Sequence, residues 1–107
     1  MKENSITSDD IVYISGPMSG IKNANREAFQ RAEKFLVEKY GCRVLNPALG
    51  LPDGLSYTQY MAHAMILLSN ATAVMILPGH QKSSGSVFEV ICACRDRKKI
   101  FHLVDLE

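Results

Sequence analysis

Apolar residues along this chain fall into two alternating patterns, short unbroken runs and stretches of helical period. Ile11-Val12-Tyr13-Ile14-Ser15 is a run of the first kind, closed by Gly16-Pro17-Met18-Ser19-Gly20, and reads as a buried strand. From about Asn25 to Tyr40, Ala28, Phe29, Ala32, Phe35, Leu36 and Tyr40 recur on one helix face. Arg26, Glu27, Arg31, Glu33, Lys34, Glu38 and Lys39 turn mostly to water, and Gly41 supplies the stop. Cys42 to Leu45 is a second short strand, ending at Asn46-Pro47. After a Gly- and Pro-rich loop from Ala48 to Leu55, Ser56-Tyr57-Thr58-Gln59 has the spacing of a capping box and opens a helix to about Leu68 or Ser69. Ala73 to Leu77 is a third strand, apolar without interruption and so buried on both faces. A last helix from about Ser86 to Arg97 and a fourth strand from Ile100 to Val104 complete the pattern.

Strands alternating with helices predict an α/β fold with three layers, a Rossmann or flavodoxin-like parallel sheet of four or five strands covered on both faces. With 107 residues the chain suits one domain over 11–107, and 1–10 is expected to be a flexible tail. From Gly54 to Gln81 there is no Asp, Glu, Lys or Arg, although the stretch contains a whole helix. A helix apolar nearly all round must bury more than one face, so we expect a homo-oligomer, a dimer or tetramer, formed through the 54–81 region.

Charge and cysteine content narrow the function classes. Twelve basic residues against eleven acidic leave a net charge of +1, which lacks the footprint of a nucleic-acid binder. The run Arg95-Asp96-Arg97-Lys98-Lys99 falls where the last helix ends and complements its dipole. Residues 1–10 have no apolar core that could act as a signal peptide, and no stretch is apolar enough to span a bilayer, so a cytoplasmic protein without membrane contact is expected. Cys42, Cys92 and Cys94 are read as reduced thiols, and neither they nor His63, His80 and His102 have metal-ligand spacing. No metal or cofactor is expected.

In an open parallel sheet the crevice beyond the carboxyl ends of the strands is the usual ligand site. That singles out Ser15, Gly16, Pro17 and Met18 after the first strand, Asn46 after the second, His80 after the third, and Ser83-Ser84-Gly85-Ser86 at the start of the last helix. Small side chains and backbone N–H groups at a helix start can hold an anion, although serines there are also ordinary caps. Glu89 has two readings, because Ser86-Val87-Phe88-Glu89 is itself a capping box in which the glutamate only reaches back to the N-cap amide. Tyr13 shares one strand face with Ser15 and is otherwise a core aromatic.

The pieces Tyr13 to Gly20, Asn46-Pro47, Leu77-Pro78-Gly79 and Ser83-Ser84-Gly85-Ser86-Val87-Phe88-Glu89 together resemble the nucleoside 2-deoxyribosyltransferase-like superfamily, in particular its short bacterial and phage-borne members. The resemblance runs in order from Tyr13 to about Leu103. It implies a Rossmann-like subunit of an oligomer that breaks or exchanges the N-glycosidic bond of a deoxynucleoside or its 5′-monophosphate. Glu89 would be the nucleophile that attacks C1′, and Tyr13 the tyrosine that contacts it. Ser83 and Gly85 would bind phosphate, with Ser15, Gly16 and Ser84 as further sugar or phosphate contacts. A carboxylate suits this chemistry because it stabilises a sugar of oxocarbenium character and can trap it covalently.

The chain departs from the family at two aspartates. One, in the middle helix, assists the departing base, and Ala64 stands there; the other, just before the third strand, is replaced by Thr72. His63 and His80 are the candidate substitutes for the missing acid, since histidine titrates near neutrality. A nucleotide-binding module or accessory protein that has lost turnover is the alternative these departures favour.

Overall fold

In a computed structural model that describes residues 5–18, 21–50 and 54–107, the apolar runs form four strands, β1 (Ile11–Ser15), β2 (Arg43–Leu45), β3 (Ala73–Ile76) and β4 (Lys99–His102). All pairings are parallel, in the spatial order β2-β1-β3-β4. The helices are α1 (Arg26–Tyr40), α2 (Tyr57–Ser69), α3 (Ser84–Arg95) and a single turn, α4 (Leu103–Leu106). The expected capping box is formed: Gln59 N–H donates to Ser56 Oγ at 3.1 Å, and Ser56 N–H donates to Gln59 Oε1 at 2.9 Å. Ser19, Gly20 and the 51–53 part of the Gly- and Pro-rich loop lie outside the described residues.

Successive side chains of a strand point to opposite faces, and this sorts the core into two halves. Val12 and Ile14 of β1 pack with Ala73 and Met75 against Phe29, Ala32 and Leu36 of α1. Tyr13, with Val74 and Ile76, faces the other way, against Ala64 and Leu68 of α2 and Cys92 and Ala93 of α3. The fold is therefore three-layered and flavodoxin-like, with helices on both faces. The chain leaves β1 toward β2 over one face and returns to β3 and beyond over the other. The β1 and β3 carboxyl ends are thus where the crossovers part and a crevice opens.

Gly16 closes the sheet side of that crevice. A Cβ added there would lie 2.8 Å from Leu77 Cβ, and Leu77 is buried. The Gly16→Ala variant is expected to lose about 1–3 kcal/mol, the usual range for overpacking a filled site. Urea unfolding checks this, and an unchanged midpoint would mean that the ends of β1 and β3 are not in close contact.

Two expectations change. The fourth strand starts at Lys99 and stops at His102, where its register partner β3 stops at Ile76. Leu103 and Leu106 then turn into α4 and pack against the α1 side of the core. Of the stretch expected to be a tail, residues 1–4 lie outside the described residues, but Ile6 is buried in the core. Asp10, just before β1, is buried too. It accepts from Lys99 Nζ at 2.8 Å, Thr72 Oγ1 at 2.7 Å and Thr7 N–H at 2.9 Å. This knot fastens the amino ends of β1, β3 and β4. Cys42, Cys92 and Cys94 are free, and no helix among the described residues is long and apolar enough to cross a membrane.

Candidate functional site

The strand period that sends Val12 and Ile14 toward α1 sends Tyr13 and Ser15 toward α3. Helix α3 begins two residues earlier than its pattern suggested, because Ser83 is its N-cap and accepts from Ser86 N–H at 3.2 Å. Ser86 is consequently a helical residue and not a cap. The local reading of Glu89 as half of a capping box is corrected by this shift. Glu89, 3% exposed, instead points into the sheet. Its Oε2 accepts from the Tyr13 hydroxyl at 2.6 Å and its Oε1 from Ser15 Oγ at 2.7 Å. Ser15 Oγ also lies 2.7 Å from Ser86 Oγ. Since the Ser15 proton is given to Glu89, Ser86 is the donor in that second bond.

The electrostatics of this cluster are set by burial. Desolvation pushes the Glu89 carboxyl above its ordinary range, and the bonds from Tyr13 and Ser15 only partly offset it. Burial, then the Glu89 charge, drives the Tyr13 phenol far above its usual value, so it remains a donor at any working pH. Tyr60, from the second turn of α2, interacts with the Tyr13 hydroxyl and is itself pushed up, by burial first and then by Glu89. Neutral hydroxyls thus converge on a buried carboxylate from β1 and, behind Tyr13, from α2.

One side of this cluster opens into a cavity of about 340 Å³ bordered by Gly16, Met18, Arg26, Tyr60, Met61 and Glu89. Gly85 contributes by what it lacks. A Cβ there would come within 3.1 Å of Met61 Sδ and 3.6 Å of the Tyr57 hydroxyl, so glycine lets the first turn of α3 lie close to α2. The loop after β1 is tied back by Asn25 Nδ2, which donates to Pro17 O at 2.9 Å.

Tyr13, Ser15, Gly16, Met18, Ser83, Gly85 and Glu89 are brought together around this cavity. The other candidates are placed elsewhere. Asn46 holds its own turn, accepting from Ala48 N–H at 2.9 Å and donating to Glu33 at 3.0 Å, and does not line the Glu89 cavity. Pro17 and Ser84 line a different cavity, on the α1 side. His63 is exposed on α2, and His80 is stacked edge-on against His102, with ring centroids 5.8 Å apart; neither borders the Glu89 cavity. The structure thus brings neither histidine to the Glu89 carboxylate. Thr72 lies before β3, at the opposite end of the sheet from Glu89, so its identity has no bearing on the site. Ala64 does face this way, fully buried beside Tyr13. Among the described residues, no group of three or more His, Cys, Asp or Glu side chains could hold a metal ion.

Reading the sequence missed Tyr60 and Arg26, which both border this cavity. Tyr60 had a signal, being four residues before Ala64 and so on the same helix face.

A family model described as "Domain of unknown function (DUF4406)" matches residues 10–102. No curated protein matches the chain.

Proposed function

The chain belongs to the DUF4406 family, and we propose that it cleaves or exchanges the N-glycosidic bond of a deoxynucleoside or deoxynucleoside 5′-monophosphate, with Glu89 as nucleophile. The observation that carries this reading is a buried carboxylate, oriented by Tyr13 and Ser15, at the edge of a cavity beyond the strand ends. Ionised, Glu89 attacks C1′ as the bond from C1′ to the base nitrogen breaks; the base leaves with that electron pair and takes up a proton. Water or a second base then attacks C1′ and frees the carboxylate. Two short hydrogen bonds fix the attacking group, which removes part of the orientational cost of the step. Tyr60 borders the same cavity and would contact a substrate bound there.

Ala64 favours a second reading. Where the resembled family has an acid, this helix offers a methyl group sealed in an apolar cluster. Losing general acid assistance commonly costs about 10²–10⁴-fold in rate. A nucleotide-binding module without turnover would keep the cavity and lose the chemistry.

One experiment separates the two. Deoxynucleosides and their 5′-monophosphates are incubated with the protein and free base is measured by chromatography. Base release that Glu89→Gln abolishes supports the enzyme. Absence of release with thermal stabilisation by a nucleotide supports the module. Neither effect would end both readings.

The reading includes a homo-oligomer formed through the uncharged 54–81 region, whose helix α2 lies beside α3 on one face of the sheet. Ile66, Phe88 and Ile91 stand exposed there, at 64%, 49% and 60%. Light scattering is expected to report a dimer or larger species, reduced to a monomer by Ile66→Glu with Ile91→Glu. A monomeric wild type would remove this part of the reading.

A further inference from the structure

A larger cavity than the one Glu89 faces lies on the other side of the sheet. It holds about 810 Å³ on the α1 side of the sheet, at the carboxyl ends of the strands. Its apolar lining includes Ala28 and Phe35 of α1, Leu77 after β3 and Leu103 of α4. Two cations border it, Arg31 on α1 and Lys82 before α3, against a single acidic side chain, Glu107. Neither cationic side chain has a hydrogen bond or ion pair with another described residue. Among the described residues, two cations without a side-chain partner therefore stand beside one apolar hollow.

Volumes of about 300–1,000 Å³ with mostly apolar walls and a few placed polar groups are typical of small-molecule sites. Here the walls would cover a hydrocarbon ring or branched chain, while Arg31 and Lys82 would face a negative charge. We propose that this cavity is a second ligand site, for an amphiphilic organic anion: a hydrophobic ring or chain carrying a phosphate, sulfate or carboxylate head. Tyr57, Ser83 and Gly85 border both this cavity and the one at Glu89, so they form the wall between the two. The proposal does not depend on what Glu89 does.

The test uses 1-naphthyl phosphate, 1-naphthoate and inorganic phosphate in calorimetric and NMR titrations of four proteins. These are the wild type, Arg31→Glu with Lys82→Glu, Ala28→Phe, and Glu89→Gln. The naphthyl anions are expected to bind the wild type and to shift the amide signals of 28–35 and 82–85. Reversing the two exposed charges should weaken them at least about tenfold, and so should filling the hollow at Ala28. Glu89→Gln should leave binding within about twofold of the wild type. The exposed pair serves as the control for Ala28→Phe, should that variant fold poorly. Absence of binding to about 1 mM, or binding indifferent to charge reversal, overturns the proposal. So does inorganic phosphate binding as tightly as the naphthyl anions, because the apolar walls would then play no part. Binding lost in Glu89→Gln and kept after charge reversal places the ligand in the other cavity and also overturns it.

Discussion

Replacing Glu89 by Gln is expected to lower base release by roughly 10⁴-fold or more, the scale on which loss of a nucleophile acts, and to raise the melting temperature at neutral pH. The two effects have one cause. Gln is nearly isosteric and keeps the contacts: its oxygen accepts from Tyr13, and its amide donates to Ser15, whose own proton then turns to Ser86. What disappears is the charge. Burial raises the native proton affinity of Glu89 above the ordinary carboxylate value of 4.5. Below that value the carboxyl is neutral in the folded and unfolded chains alike, and ionisation costs the native state nothing. As the pH climbs through the raised native value, the wild type alone must ionise a buried group, and it loses stability that the Gln variant retains. The gain in melting temperature should therefore be small in acid and widest near neutrality. Asp10 titrates in the opposite sense: burial alone would raise it, but the bonds from Lys99, Thr72 and Thr7 prevail and hold it below 3.8. Its stabilisation is lost as the pH falls, equally in both proteins, and cancels from the difference. Undiminished base release would end the role of Glu89 as nucleophile. A melting-temperature gain that is flat from pH 4 to pH 8 would show that ionisation is not its source.

Tyr13→Phe acts on the same carboxylate from the other side. The variant keeps the ring packed against Ala64 and Val74 and removes the donor 2.6 Å from Glu89 Oε2. A buried anion stripped of one of its two donors is expected to cost about 1–3 kcal/mol at neutral pH. The loss should shrink in acid, where the carboxyl is protonated. Without the Tyr13 bond, which lowers the Glu89 proton affinity, that affinity rises further, so the acid limb of the pH–rate profile should move to higher pH. Unfolding curves at two pH values and a rate profile measure these effects. Equal destabilisation at both pH values, with an unmoved limb, would show that Tyr13 serves only as a core aromatic.

How far the sequence reaches is clear from particular elements. Strands β1 and β3 were legible because their apolar runs are unbroken, and α2 because its capping box is a contact between neighbours in the chain. The start of α3 was not. Ser83 and Ser86 both have cap-like surroundings, and the choice between them is made by partners 74 and 76 residues from Glu89, which no local spacing records. Tyr60 was passed over because an aromatic residue in an apolar helix is indistinguishable by pattern from core. Thr72 could have been set aside at the outset, since a residue preceding a parallel strand lies at the end away from the crevice. The fate of Asn46 was open: its side chain serves equally well in a turn or in a site, and only the position of Glu33 decides.

Glu89 is cradled by the hydroxyls of Tyr13 and Ser15. Its readiness to hold a proton is governed by contacts of about 2.6–2.7 Å and by exclusion of water. Dissolved ions act chiefly between exposed charges, over about 8–10 Å at moderate salt, and have little purchase on it. The hollow edged by Arg31 and Lys82 is the reverse case, with both cations in solvent. The Ser83–Gly85 segment thus divides two neighbourhoods that answer to different variables of the medium, acidity on one side and ionic strength on the other.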